Sequence, residues 1–261
     1  MRQFFAITHY EFCMSIRRIG YWIAYALLSV FYAVTVLPPS EDWSSNVLFS
    51  PMVWQQAGHL VFLFNVFMPL LAGLLTADRL QRDFRGGLNE LQRSTPLPRT
   101  AYILSKYLGA LAGSLLPFFA VTVITGAVMV AAGRAPVEFF WPLLVAFLAI
   151  AVPSHIFVVA FSLICPLVIP LRIYQVLFTG YWFWGNLLSP KAFPTISDTV
   201  LNAVGQYPLQ AYFSVLVDST QPVATAFTKP EAVINLLVLL ACSAAILLVG
   251  RFYLHKQSQK A

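Results

Sequence analysis

Ser154, His155 and His59 are the residues of this chain whose types could carry covalent catalysis, a hydroxyl nucleophile with imidazole bases. Ser154 and His155 are neighbours in the chain, whereas a nucleophile and its base converge from separate elements, and no nucleophile-elbow pattern surrounds any serine. The chain has neither a Gly-x4-Gly-Lys phosphate loop nor a Gly-x-Gly-x-x-Gly dinucleotide turn, so it is not expected to hydrolyse ATP by that route. Cys13, Cys165 and Cys242 stand far apart, without the spacing of a metal site or redox pair, and read as small buried hydrophobes. The histidines are equally scattered, so no metal site and no catalytic residue is assigned. An intramembrane enzyme built on His155 and His59 is kept as an alternative.

A different kind of chemistry is concentrated in residues 86–99, Gly-Gly-Leu-Asn-Glu-Leu-Gln-Arg-Ser-Thr-Pro-Leu-Pro-Arg, a polar, basic insert between two long apolar segments. In so hydrophobic a chain such an insert marks a face built to touch a partner in water. Before it, Asp78 to Asp83 is expected to continue the preceding helix, pairing Asp78 with Arg82 and Arg79 with Asp83 at i,i+4, each pair contributing about 0.2–0.5 kcal/mol. Gly86-Gly87 then breaks the helix. A short helix is expected from Leu88 to Arg93, and Pro96 and Pro98 stop it before the next long helix starts near Thr100.

The elements that must position this insert follow from composition. The 261 residues are 59% hydrophobic and only 10% charged, with a mean hydropathy of +0.75, against about 25% charged in an ordinary soluble domain. Six apolar runs approach the ~20 residues that cross a bilayer as a helix. They lie at about 22–37, 57–77, 101–132, 139–164, 171–188 and 232–252. They lack the alternation of a membrane barrel, so the fold class is all-α: a polytopic membrane protein of six transmembrane helices in residues 22–261, preceded by an interfacial helix in 1–21. The third run is long enough to project beyond the bilayer or to bend at Pro117. Thirteen of the sixteen Lys and Arg residues fall on one side of this arrangement, and only Arg134, Lys191 and Lys229 on the other. Basic residues are retained in the cytoplasm, so both termini and the 78–100 loop are placed there. Topology therefore accounts for the net charge of +6, and no nucleic-acid partner is expected.

Met1–Gly20 lacks the compact apolar core of a removable signal peptide and is expected to be retained. Phe5, Phe12, Ile16 and Ile19 share one helical stripe, with Glu11, Ser15, Arg17 and Arg18 off it, as in a helix lying on the inner leaflet.

With these residues in place, the chain resembles the ABC-2 family of ABC-transporter permeases. The loop between the second and third spans of that family commonly reads Arg-Gly-Thr-Leu-Glu-x-Leu-x-x-Ser-Pro-Leu-Ser-Arg. Here Arg85, Gly86 and Gly87 match its opening, Glu90 and Ser94 keep its four-residue spacing, Thr95-Pro96-Leu97-Pro98-Arg99 follows, and Lys106-Tyr107-Leu108-Gly109 matches the start of the next helix. Leu88 and Asn89 depart from the pattern. A weaker likeness lies in Gln206-Tyr207-Pro208-Leu209-Gln210-Ala211-Tyr212, similar to the segment before the last helix of those permeases. The resemblance implies a multi-pass subunit of an exporter in a prokaryotic plasma membrane. A second, identical or homologous permease subunit would complete the pore, and two separate ATP-binding subunits would hold ATP and Mg, none of it in this chain. The loop would then be a coupling helix. Glu90 and the basic residues would fix its docking register, Leu88 and Leu91 would fill a groove in the ATPase, and Arg85, Gly86, Gly87, Ser94, Thr95 and Pro96 would shape it.

Within the membrane, Ser105, Gly109 and Gly113 form a small-residue ridge that permits close helix approach, either inside the subunit or between subunits. Phe62, Phe64 and Phe67 with Phe178, Tyr181, Trp182, Phe183 and Trp184 could line a lateral path for an amphiphilic substrate, with Asn65 and Asn186 as rare polar points. Ordinary packing against membrane lipid is the competing use of these aromatics. The extracellular segment 189–231, with apolar runs near 200–204 and 212–217, is expected to form short helices at the outer interface, as a gate or a fixed cap. A passive channel, the remaining alternative, would need a polar line along several spans, and none is visible.

Overall fold

The computed structural model describes residues 2–36, 51–85, 98–188, 193–215 and 227–260. The described chain is helical, without strands. Its helices are α1 (Arg2–Ile16), α2 (Ile19–Val36), α3 (Pro51–Thr76), α4 (Arg79–Arg85), α5 (Arg99–Ala131), α6 (Phe140–Ala146), α7 (Val152–Ile164), α8 (Leu171–Asn186), α9 (Gln206–Phe213) and α10 (Lys229–Lys260).

Among the described residues four helical stretches are long and apolar enough to cross a membrane: Met52–Asp83, Arg99–Ala131, Val137–Leu167 and Lys229–Lys256. Each overlaps one of the runs expected at 57–77, 101–132, 139–164 and 232–252. The other two runs form shorter helices, 18 residues in α2 and 16 in α8. The protein is thus an all-helical, membrane-embedded chain.

The helix α5 is continuous through Pro117 for 33 residues. At 1.5 Å per residue it measures about 50 Å, well beyond a hydrocarbon core of about 30 Å. The stretch Val137–Leu167 is less regular. A π-helical turn at Phe147–Ala151 joins α6 to α7, next to Pro153, which cannot donate a backbone hydrogen bond. Its core side chains, Phe147 and Ile150, pack with Phe64, Phe118 and Phe139 in the main hydrophobic cluster. A second cluster joins Leu80, Ile103, Tyr107 and Leu111 to Val159, Leu163 and Leu254, locking α4, α5, α7 and α10 together at one end of the bundle.

At that end α3 does not continue unbroken into α4. A turn at Ala77 and Asp78 separates them, with the Asp78 carbonyl accepting from the Arg82 amide at 2.9 Å. The charged side chains Arg79 and Asp83 of α4 pair differently from the helical expectation, as described next.

Candidate functional site

Glu11 of α1 is only 2% exposed, while Phe5 on the same helix is exposed. Of its apolar stripe, Phe12 and Ile16 are half-buried, whereas Glu11 and Ser15 are buried, so the polar face of α1 points into the protein. Two glycines make this possible. A Cβ on Gly109 would lie 2.6 Å from the Glu11 Cβ and 2.7 Å from the Thr8 carbonyl oxygen, and one on Gly113 would lie 2.3 Å from the Ser15 Cβ. The small-residue ridge of α5 is thus occupied by α1 of the same subunit, backbone against backbone. Ser105, also on it, is buried and donates to the Tyr102 carbonyl at 2.8 Å.

An isolated carboxylate at this depth would be expensive, and Glu11 has two cations. Arg79 of α4 approaches Glu11 Oε2 at 3.3 Å through Nη1 and donates from Nη2 to Ser15 Oγ at 3.0 Å, while Ser15 donates in turn to the Glu11 carbonyl at 2.8 Å. Lys106 of α5 contacts Glu11 Oε1 and lies 2.5 Å from Asp83 Oδ2. Tyr102 donates its hydroxyl to the same Asp83 oxygen, and the Lys106 ammonium lies 5.6 Å from the Tyr102 ring centre. Glu11, Arg79, Lys106 and Asp83 form an enclosed, formally neutral set of four charges on three helices. A more exposed pair of contacts extends it: Asp78 meets Arg82, and Arg18, between α1 and α2, at 3.6 Å.

The Asp78–Arg82 pair forms as the helical spacing requires, but Arg79 goes to Glu11 and Asp83 to Lys106. The reason is energetic. A surface i,i+4 pair is worth a few tenths of a kcal/mol, whereas a buried Glu11 left unpaired would cost several.

The set offers no nucleophile. Its capacity is mechanical: it pins α1 to the helix before the 86–97 segment and to the helix after it. Residues 86–97, with Gly86, Gly87, Leu88, Glu90, Leu91, Ser94, Thr95 and Pro96, lie outside the described residues; Arg85 is the last residue of α4 and Arg99 the first of α5. The pairing of Glu11 with Lys106 is not legible in the sequence. The available signal is Lys106 itself, a cation one turn beyond Tyr102 and two turns inside the helix that starts at Arg99.

The residues considered for a substrate path divide. Trp182 is fully buried and donates from Nε1 to the Val66 carbonyl at 2.7 Å, and Phe62 is part of the main core. Phe178 and Tyr181 line a cavity of ≈ 370 Å³ between α7, α8 and α10. Asn65 and Asn186 hold the 193–215 segment: Asn65 Nδ2 donates to the Val204 carbonyl at 2.8 Å, and Asn186 Oδ1 accepts from the Ala203 amide at 2.7 Å. Asn202 and Asn235 extend this scaffold, Asn235 donating to the carbonyls of Val200 and Asn202, both at 2.9 Å. The short helix in this segment falls at Gln206–Phe213, not at 200–204, where the asparagines bind a turn instead.

His155 is buried, donates from Nδ1 to the Ala151 carbonyl of the π-helical turn at 3.0 Å and packs on Phe118, with Nε2 unpartnered. Ser154 Oγ is also buried without a partner, and His59 is exposed on α3. No hydrogen bond joins these three residues, and no group of three or more His, Cys, Asp or Glu residues could hold a metal among the described residues. Comparisons of the chain with known protein families, curated proteins and solved structures find no match.

Proposed function

We propose that this chain is the transmembrane subunit of an ATP-driven exporter, translocating substrate without covalent chemistry of its own. In this reading α2 and α8 complete six spans, both termini face the cytoplasm of a prokaryotic cell, and a second permease subunit and two ATP-binding subunits complete the complex.

One observation supports it above the others: the buried charge set ties both flanks of the 86–97 segment to α1. A partner that changes shape can shift a membrane helix only if its two states contact the helix differently, and only through a connection stiff enough to carry the displacement. A swing from 1:99 to 99:1 needs about 5.5 kcal/mol of differential binding. Breaking one buried charge pair costs about 3–5 kcal/mol, and three such contacts link the helices, so a displacement of either flank is passed to α1. The order Gly-Gly, Glu90, Ser94-Thr95-Pro96 adds the docking pattern of the family the loop resembles.

The test is purification of the native complex in mild detergent, with identification of co-purifying chains and assay of reconstituted transport. An ATP-binding partner is expected, with Glu90→Ala and Ser94→Ala retaining it while substrate-linked hydrolysis and transport fall. No nucleotide-binding partner, or ion conduction by the chain alone without nucleotide, would overturn the proposal.

A further inference from the structure

We infer that the cavity between α7, α8 and α10 is a slot for the acyl chain of a membrane lipid. Its volume of ≈ 370 Å³ lies within the range of about 300–1,000 Å³ typical of small-molecule sites. Phe157, Phe161 and Cys165 form one wall at four-residue spacing, and Tyr174, Phe178 and Tyr181 form the facing wall on α8, with Cys242 contributed by α10. Residues eight apart on a helix are separated by about 12 Å along its axis, so the slot runs at least that far parallel to the helices. That suits one extended hydrocarbon chain. The long axis is also the direction in which lipid chains lie beside membrane-spanning helices.

The lining selects the same occupant. It contains no charged residue, and the Tyr174 hydroxyl is already engaged with Ser162 at 2.8 Å. Ordered water needs two to four polar partners and an ionic ligand needs a counter-charge, so neither is stabilised here. The walls are braced against inward collapse: the Phe157 and Phe161 rings lie 4.6 Å apart, and Tyr174 stacks on Phe178 at 5.6 Å with 7° between planes. Wall atoms facing the slot recover their lost dispersion contacts only from a guest. Leu177, at the edge of the slot, is 57% exposed, and Ile173 and Val176 beside it are also exposed, so the opening is lateral and apolar. The inference requires the chain to lie in a membrane and does not depend on its coupling to an ATPase.

Two measurements on the full-length chain test it. In native mass spectrometry after delipidation and reloading with a defined long-chain phospholipid, the natural sequence is expected to retain one lipid per chain. Cys242→Trp, which fills the slot, should lower that retention at least tenfold. Equal retention in the two proteins would overturn the inference. In a Cys13→Ser, Cys165→Ser background, where the slot keeps its shape, the Cys242 thiol should react with an apolar maleimide in detergent. Long-chain phospholipid should slow that reaction at least fivefold, and glycerophosphocholine, the same headgroup without chains, should not. Equal protection by both, protection by neither, or reactivity that changes only with the oligomeric state of the protein would each reject the acyl-chain assignment, the last in favour of a second copy covering the slot.

Discussion

Replacing Glu11 by Gln preserves side-chain volume and removes one negative charge from the enclosed set of four. Lys106 would keep Asp83 at 2.5 Å, but Arg79, 2% exposed, would lose its carboxylate partner, and the set would pass from neutral to a net positive charge. Removing one member of a buried pair costs about 3–5 kcal/mol. At about 2–4 °C per kcal/mol for a chain of this size, the thermal midpoint of the purified protein should fall by roughly 10 °C. The decisive comparison is the double variant Glu11→Gln, Arg79→Met, which restores neutrality by leaving Lys106 with Asp83 and replaces the guanidinium with an apolar side chain. It should be no less stable than Glu11→Gln alone, with a coupling energy of about 1–3 kcal/mol. A Glu11→Gln single variant within ~0.5 kcal/mol of the natural sequence, or strictly additive losses in the double, would refute the claim that these charges compensate one another in a desolvated site.

Lys106→Met should be milder than Glu11→Gln in the same melting assay, because Glu11 keeps Arg79 and Asp83 keeps the Tyr102 hydroxyl. Gly109→Ala should cost about 1–3 kcal/mol by overpacking, since its new methyl would meet the Thr8 backbone, and should raise proteolysis of α1; unchanged stability and protection would show that α1 does not lie on this ridge. Asn235→Leu leaves the Val200 and Asn202 carbonyls without the Asn235 donor and should cost about 1–3 kcal/mol, read as faster hydrogen exchange in residues 193–215. The double variant His59→Ala, His155→Ala should keep transport by the reconstituted complex; its loss in a folded protein would favour the intramembrane-enzyme alternative.

Much of the architecture was legible from residue order. Apolar runs near 57–77, 101–132, 139–164 and 232–252 are long enough that only a helix can satisfy their backbones in lipid, and helices of membrane length are found at all four. The runs at 22–37 and 171–188 form shorter helices, of 18 and 16 residues. The glycine ridge was visible as spacing, but what occupies it was not, because a four-residue small-residue repeat permits close approach by any helix. Asn65 and Asn186 stood out as polar groups in apolar surroundings. Whether such a group faces a substrate or a backbone carbonyl depends on a segment more than a hundred residues away for Asn65, which binds the Val204 carbonyl.

Residue order by itself determined that this chain is helical and membrane-embedded, because hydrophobic run length and backbone hydrogen bonding in lipid are local properties. Which charges meet was decided by tertiary structure alone. Arg79 and Asp83 have the spacing of a helical pair, yet the approach of α1 to Gly109 and Gly113 buries Glu11 beside them, and the cost of desolvating that carboxylate outweighs the local preference. Ion pairing across 68 and 95 residues of chain leaves no periodic trace in the sequence, since it depends on where three helices cross and not on how any one of them is patterned.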